Sequence, residues 1–156
     1  MSRGPHYHIL SGGQTGVDRA ALDVALALGW PCGGWCPSGR WAEDGPIPTR
    51  YPLRETAQWN PAVRTERNVV DSAALVVLAA PPLRGGTAGA VAVAERRGVP
   101  TLIMDPASPG AADRIAAWLL DTLPDGGPVN VAGPRESEAP GVYRAAARVL
   151  RAAFDR

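Results

Sequence analysis

Two glycine-rich segments have the residue types and the spacing that suit them to hold an anion. The first follows a short apolar run and has the sequence Ser-Gly-Gly-Gln-Thr-Gly over residues 11–16; the second has the sequence Arg-Gly-Gly-Thr over residues 84–87. Glycine lets the backbone approach a ligand closely, and a helix that begins there presents free N–H groups and a positive dipole end. A plain turn with Thr15 as helix cap is the alternative for the first segment. Two such segments at the same edge of a sheet would form a shared site, so the pair predicts binding of a nucleotide or a phosphate ester.

The chemistry open to such a site is limited by what the sequence lacks. Neither segment contains the Gly-x-Gly-x-x-Gly fingerprint or the Walker pattern, which disfavours dinucleotide dehydrogenase chemistry. All 16 Lys-or-Arg positions are arginine. The lack of lysine excludes a Schiff base and a Walker-type phosphate-binding lysine. An anion must therefore be held by arginine, backbone N–H groups or hydroxyls.

A third polar segment surrounds the last apolar run of the chain. Asn130 lies within this run, and Arg135, Glu136 and Ser137 come just after it. Arg135 could bind a phosphate through two parallel hydrogen bonds, whereas Ser137 could instead cap the terminal helix. Glu136 is a candidate acid or base.

A long connection over residues 30–62 is rich in proline and glycine. We expect it to be mostly irregular, and long irregular loops in compact domains are usually functional or mobile. Glu43 and Asp44 are adjacent carboxylates, suited to acid–base work or to a magnesium ion, and equally compatible with a solvated turn. Trp30, Trp35 and Trp41 either stack on a planar ring or pack the loop.

The predicted helix after this connection begins with the polar segment 64–68. Arg64 either donates to the site or pairs with Glu66 or Asp71 nearby.

The apolar pattern predicts an α/β fold with about five strands in a central, mostly parallel sheet. Predicted strands cover residues 7–10, 74–78, 100–104 and 129–131, with a short one in 30–37, and predicted helices cover 17–28, 64–72, 88–97, 111–123 and 140–154. We expect one domain over residues 1–156, since no linker divides the chain. Ligands of open parallel sheets bind beyond the carboxyl ends of the strands, where these polar segments converge.

Composition excludes several other classes of function. The net charge of +1 gives no general attraction to nucleic acid or to an anionic membrane. No apolar run approaches the roughly 20 residues that span a bilayer, and the segment Met1 to His6 lacks a signal-peptide pattern, so we expect a cytoplasmic protein. Cys32 and Cys36 are too few for a structural zinc site, and we predict no metal ligands among them.

Five motifs together resemble the putative molybdenum carrier family. They are the segments 11–23, 34–45, 64–68, 85–87 and 130–137, which occur in the family's order over nearly the whole chain. The resemblance implies a Rossmann-like three-layer fold, in the superfamily that includes the Lonely Guy phosphoribohydrolases and their lysine-decarboxylase-like relatives. It also implies a small homo-oligomer that binds and protects the molybdenum cofactor, a phosphorylated pyranopterin dithiolene, without turning over a substrate. The ligand-binding residues expected from motifs and resemblance are Ser11, Gly12, Gly13, Gln14, Thr15, Gly16, Asp18, Arg19, Arg40, Arg64, Thr65, Asn68, Gly85, Gly86, Thr87, Asn130, Gly133, Arg135 and Ser137.

One departure separates this chain from the enzymes of that superfamily. They place a catalytic glutamate three residues after the threonine of their glycine motif, whereas Thr87 is followed by Ala88, Gly89 and Ala90 here. The leading hypothesis is therefore a binding protein for a phosphorylated heterocycle, with the molybdenum cofactor or a nucleotide as ligand. The alternative is a hydrolase of nucleotides or ribosyl phosphates that uses Glu43, Asp44 or Glu136.

Overall fold

Five parallel strands form the central sheet of the computed structural model, which describes residues 5–156. The first four residues of the N-terminal segment considered above lie outside this range. In chain order the elements are β1 (Tyr7–Leu10), α1 (Val17–Leu28), β2 (Cys32–Gly33), β3 (Trp35–Cys36), β4 (Trp41–Ala42), β5 (Gly45–Pro46), β6 (Arg54–Glu55), α2 (Pro61–Val70), β7 (Ala74–Leu78), α3 (Gly85–Arg97), β8 (Thr101–Met104), α4 (Ala111–Thr122), β9 (Gly127–Ala132) and α5 (Val142–Phe154). The predicted α/β class and its five-stranded parallel sheet are confirmed.

The order of strands in this sheet is β2-β1-β9-β7-β8. The last strand is thus inserted between the first strand and β7, so that Asn130 pairs with Leu10 on one side and Leu75 on the other. A doubly wound sheet of order 3-2-1-4-5 has this arrangement if its first strand is moved to the end of the chain. The insertion brings the segments after β1, β7 and β9 side by side at one sheet edge.

Helices cover both faces of the sheet. Helices α1 and α4 pack against α5, and α2 packs against α3. All five residues of β7 are buried, with Val76 and Leu78 in the larger core and Leu75 and Val77 in the smaller one. This alternation is the period of two expected for a strand covered on both faces.

The long connection is folded rather than irregular. Strand β3 pairs with β6, β4 and β5 form a hairpin, and a separate core forms around Tyr51 and Cys36. Arg40 organises this segment: its guanidinium donates to the carbonyl oxygens of Ile47, Pro48, Tyr51 and Leu53.

Several helix and strand ends differ from the prediction. Helix α2 begins at Pro61 instead of residue 64, because the Asn60 side chain accepts a hydrogen bond from the Ala62 N–H at 3.0 Å and Pro61 suits the first helical position. Helix α3 begins at Gly85, and β9 extends to Ala132. Over residues 5–156, no helix is long and apolar enough to cross a membrane.

Candidate ligand-binding site

A cavity of about 570 Å³ opens at the carboxyl edge of the sheet, between α2, α3 and the segments after β1 and β9. This volume is typical of small-molecule sites. The predicted ligand-binding residues that line it are Gly12, Gln14, Asp18, Arg64, Thr65, Asn68, Gly85, Gly86, Thr87, Asn130, Gly133 and Arg135. The others, which do not line it, are Ser11, Gly13, Thr15, Gly16, Arg19, Arg40 and Ser137.

The N-terminus of α3 forms an open wall of this cavity. The first N–H groups of a helix have no acceptors within the helix, and no side chain caps them here. A Cβ atom added at Gly86 or Gly89 would meet no atom within 4 Å. These glycines therefore leave room for a ligand beside the helix N-terminus.

Two buried polar side chains face the cavity next to this helix end. Thr87 is 6% exposed and Asn130 is 3% exposed. Among the described residues neither side chain has a hydrogen-bond partner, and the polar atoms of both are accessible from the cavity. Buried polar groups are normally paired, so a hydroxyl and an amide left open point to a ligand or to ordered water.

The opposite wall contains a buried ion pair. Arg64 Nη1 donates to the Gly12 carbonyl oxygen at 2.9 Å and lies 4.0 Å from Asp18 Oδ2. Burial raises the pKa of Asp18 to about 6, although the positive charge of Arg64 acts in the opposite direction. Glycine at position 12 lets the backbone lie directly against this arginine, since a Cβ atom there would overlap the Arg64 guanidinium in its present position.

Glu43 joins the first glycine segment to the segment that follows β9. Its carboxylate accepts hydrogen bonds from the Thr15 and Ser137 hydroxyls and from the Ser137 N–H, and lies 4.0 Å from Arg135. The hydrogen bonds from Ser137 and Thr15 hold the pKa of Glu43 below its usual value. We call this cluster of Glu43, Thr15 and Ser137 the Glu43 clasp.

The other two candidate acids also have partners in the protein. Asp44 accepts from Arg19 at 2.8 and 3.2 Å, and Arg19 also donates to the Gly13 carbonyl oxygen. Glu136 accepts from the Gly141 and Tyr143 N–H groups and so binds the start of α5 in place of Ser137. Glu43, Asp44 and Glu136 do not line the cavity, whereas Asp18, Glu66 and Glu138 do.

Three further predicted residues position the chain around the cavity. Asn68 accepts from the Trp35 N–H at 2.8 Å and donates to the Trp35 carbonyl oxygen at 3.0 Å. The Ser11 hydroxyl donates to the Asp18 carbonyl oxygen at 2.8 Å. Thr65 donates to the Pro61 carbonyl oxygen one turn earlier in α2. The Asn68 bonds therefore hold α2 against β3, the Ser11 bond holds the first glycine segment against the start of α1, and the Thr65 bond lies within α2.

Sequence reasoning missed several cavity residues, and two signals could have found them. These residues are Asn60, Arg96 and Glu138, whereas Trp41, which also lies at the cavity, was among the tryptophans expected to stack on a ring or pack the loop. The pair Asn60-Pro61 is a helix-start signal that places the first turn of α2 beside the site. Arg96 lies seven residues after Gly89, on the same face of α3. Over residues 5–156, no three His, Cys, Asp or Glu side chains converge in a way that could hold a metal ion.

Comparisons with known proteins identify the family of the chain. The model of the circularly permutated YpsA SLOG family matches residues 9–154. A crystal structure of a "Putative molybdenum carrier protein" from Syntrophus aciditrophicus SB is 35% identical in sequence and superposes with a TM-score of 0.90, covering 98% of each chain. No curated protein sequence matches the chain. The resemblance inferred from the motifs is confirmed, and the chain belongs to the circularly permutated YpsA SLOG family.

Proposed function

We propose that the chain is a binding and carrier protein for a phosphorylated heterocycle, and that its ligand is the molybdenum cofactor. The observation that supports this most directly is the cavity in which the open N-terminus of α3 adjoins the unpaired side chains of Thr87 and Asn130. The similarity to a protein described as a molybdenum carrier supports the choice of ligand.

The residues of the cavity suit the two parts of such a ligand. A phosphate placed over Gly85 and Gly86 would accept hydrogen bonds from backbone N–H groups and lie at the positive end of the α3 dipole. The Asn130 amide offers both a donor and an acceptor, which matches the polar edge of a pterin ring. Arg64 and Arg135 supply positive charge at the walls.

The chain holds this ligand without thiolate ligands of its own. Its two free cysteines, Cys32 and Cys36, line neither this cavity nor the second one described below. The dithiolene and its metal would therefore be protected by enclosure. From the family resemblance we also propose a homo-oligomer that works in the cytoplasm, and size-exclusion chromatography with light scattering tests its assembly.

Anaerobic titration with the molybdenum cofactor tests the main proposal. We expect Asn130→Leu and Thr87→Val to weaken binding at least tenfold, because each removes a buried polar group while keeping the shape of the side chain. Thr122→Val on α4, which lines neither cavity, is the matched control and should bind like the parent protein. Absence of binding at high micromolar cofactor would overturn the proposal.

One observation keeps a hydrolase as the second candidate. The buried Asp18 carboxyl lines the cavity, and its pKa of about 6 is near the range that suits a general acid or base. Incubation with nucleoside monophosphates, followed by chromatography of any released base, tests this activity. Release that is lost in Asp18→Asn would favour the enzyme over the carrier.

A further inference from the structure

A second cavity of about 440 Å³ adjoins the first at the same edge of the sheet. It lies on the α5 side, between the segments that follow β7, β8 and β9, and its lining is mainly apolar, with Pro82, Pro140, Val142 and Ala145 among the contributors. None of the residues that we assign above to the phosphorylated heterocycle lines it except Thr87. A cavity of this size and polarity suits a ring-bearing group with little charge.

The two cavities meet at the N-terminus of α3. Thr87 and Glu138 line both of them. Thr87 is therefore a buried residue that borders both cavities, next to the free N–H groups of Gly85 and Gly86. A group bound at this junction would contact both cavities at once.

The charges at the junction favour an extended anion. Arg84 lines the second cavity and is exposed, and Arg135 lines the first. Glu138 accepts from the N–H and the Nε of Arg135 at 3.0 and 3.1 Å. Its Oε2 lies 3.7 Å from the position of a Cβ atom at Gly85, so this carboxylate lies beside the first residue of α3. A ligand anion would take that place and release Arg135 to bind it.

We infer that the two cavities form one binding crevice for a diphosphate diester that joins two ring systems. The diphosphate lies over Gly85, Gly86 and Thr87 between Arg84 and Arg135, the polar heterocycle occupies the first cavity, and a nucleoside occupies the second. This inference rests on the proposed function for the heterocycle and its phosphate, and extends it to a second ring that a monophosphate lacks.

Calorimetric titration with four probes tests the inference. Flavin adenine dinucleotide contains both ring systems and the diphosphate. FMN lacks the adenosine and the second phosphate, ADP lacks the flavin, and AMP lacks the flavin and the second phosphate. We expect the dinucleotide to bind at least tenfold more tightly than each of the others. Equal affinity for the dinucleotide and FMN, or no binding of the dinucleotide, would overturn the inference, while binding of the molybdenum cofactor in the separate titration would leave the carrier function standing.

Variants of the second cavity test whether the nucleoside of the dinucleotide binds there. Ala145→Phe fills it and should reduce dinucleotide affinity to that of FMN, with FMN affinity retained. Ala152→Phe, exposed on the same helix and outside both cavities, is the matched control. If Ala145→Phe unfolds, Arg84→Ala provides the second measurement and should weaken the dinucleotide and leave FMN unaffected. A dinucleotide affinity that none of these changes alters would overturn the inference.

Glu138→Gln tests the junction separately. Removing its charge from the start of α3 should strengthen binding of the dinucleotide and of ADP severalfold, since both place a diphosphate there. Unchanged or weaker binding of both would contradict an anion site at this position.

Discussion

The two glycine segments look alike in sequence and have opposite roles in the structure. In the first, the glycines allow close packing within the protein: a Cβ atom at Gly12 would overlap Arg64, and one at Gly16 would overlap the Pro134 carbonyl oxygen. In the second, a Cβ atom at Gly86 would meet nothing within 4 Å. Glycine-rich sequence therefore indicates a close approach of the backbone, and only the neighbouring atoms show whether the approaching group belongs to the protein or to a ligand.

We expect the largest difference in stability between Gly16→Ala and Gly86→Ala. Gly16 has a φ of 79°, so alanine there adds left-handed strain to the overlap with Pro134, and we expect a loss of about 3 to 4 kcal/mol in the free energy of unfolding. Gly86→Ala should keep stability and reduce ligand affinity. Urea unfolding and ligand titration measure both. Equal stability of the two variants would remove the contrast.

The buried Asp18 beside the first segment gives a pH-dependent test. Its pKa is raised from 3.8 to about 6 in the folded protein, so the protonated form stabilises the fold below pH 3.8 and that stability is lost as pH rises through about 6. Asp18→Asn cannot ionise and should gain about 2 to 3 kcal/mol relative to the parent between pH 4 and pH 7.

Denaturant unfolding at the two pH values measures this gain. Asp113→Asn, at an exposed acid of α4, is the control and should show little change between them. A difference between Asp18→Asn and the parent that does not vary with pH would mean that Asp18 is not desolvated in the fold.

The Glu43 clasp tests whether the first segment is held closed by protein groups. Because hydrogen bonds lower the pKa of Glu43, its contribution is present above its usual value of 4.5 and is lost as pH falls through the folded value. Glu43→Gln should cost about 1 kcal/mol at pH 7, since the carboxylate is partly exposed, and less at pH 3, which lies below its usual value. Thermal unfolding at both pH values checks this, and a cost that is as large at pH 3 as at pH 7 would argue against a role of the charge.

The smallest expected effect is a gain in stability from a substitution in α3. Gly89 lies inside α3 with a free space around it, so Gly89→Ala should raise the free energy of unfolding by about 0.5 to 1 kcal/mol through helix propensity. Chemical denaturation measures it. A loss of stability would show that the space beside Gly89 is filled in the folded protein, as it is beside the glycines of the first segment.

Much of the fold could be predicted because local patterns determine it. The bounds of α1 follow from the helical period of its apolar residues and those of β7 from its continuous apolar run, and both agree with the structure. The start of α2 was missed although Asn60 and Pro61 mark it. The short strands between residues 34 and 55 could not be found from periodicity, because two residues are too few to show a period.

The candidate site was predicted only in part, because many of its residues contact partners that are far away along the chain. Sequence identified the segments that converge on the cavity, including Thr87 and Asn130. It could not separate free arginines from engaged ones: Arg19 is bound to Asp44, 25 residues away, and Arg40 to four carbonyl oxygens. Partners so distant along the chain leave no local pattern.

By itself, the sequence determined the element types, the parallel α/β class and the need to hold any anion with arginine, hydroxyls and backbone N–H groups. These follow from local periodicity and from the absence of lysine. Tertiary structure decided the insertion of β9 between β1 and β7, the closure of the first glycine segment by Glu43, and the openness of the second. The physical reason is that an N–H or hydroxyl is free for a ligand only if no group brought near by folding satisfies it first.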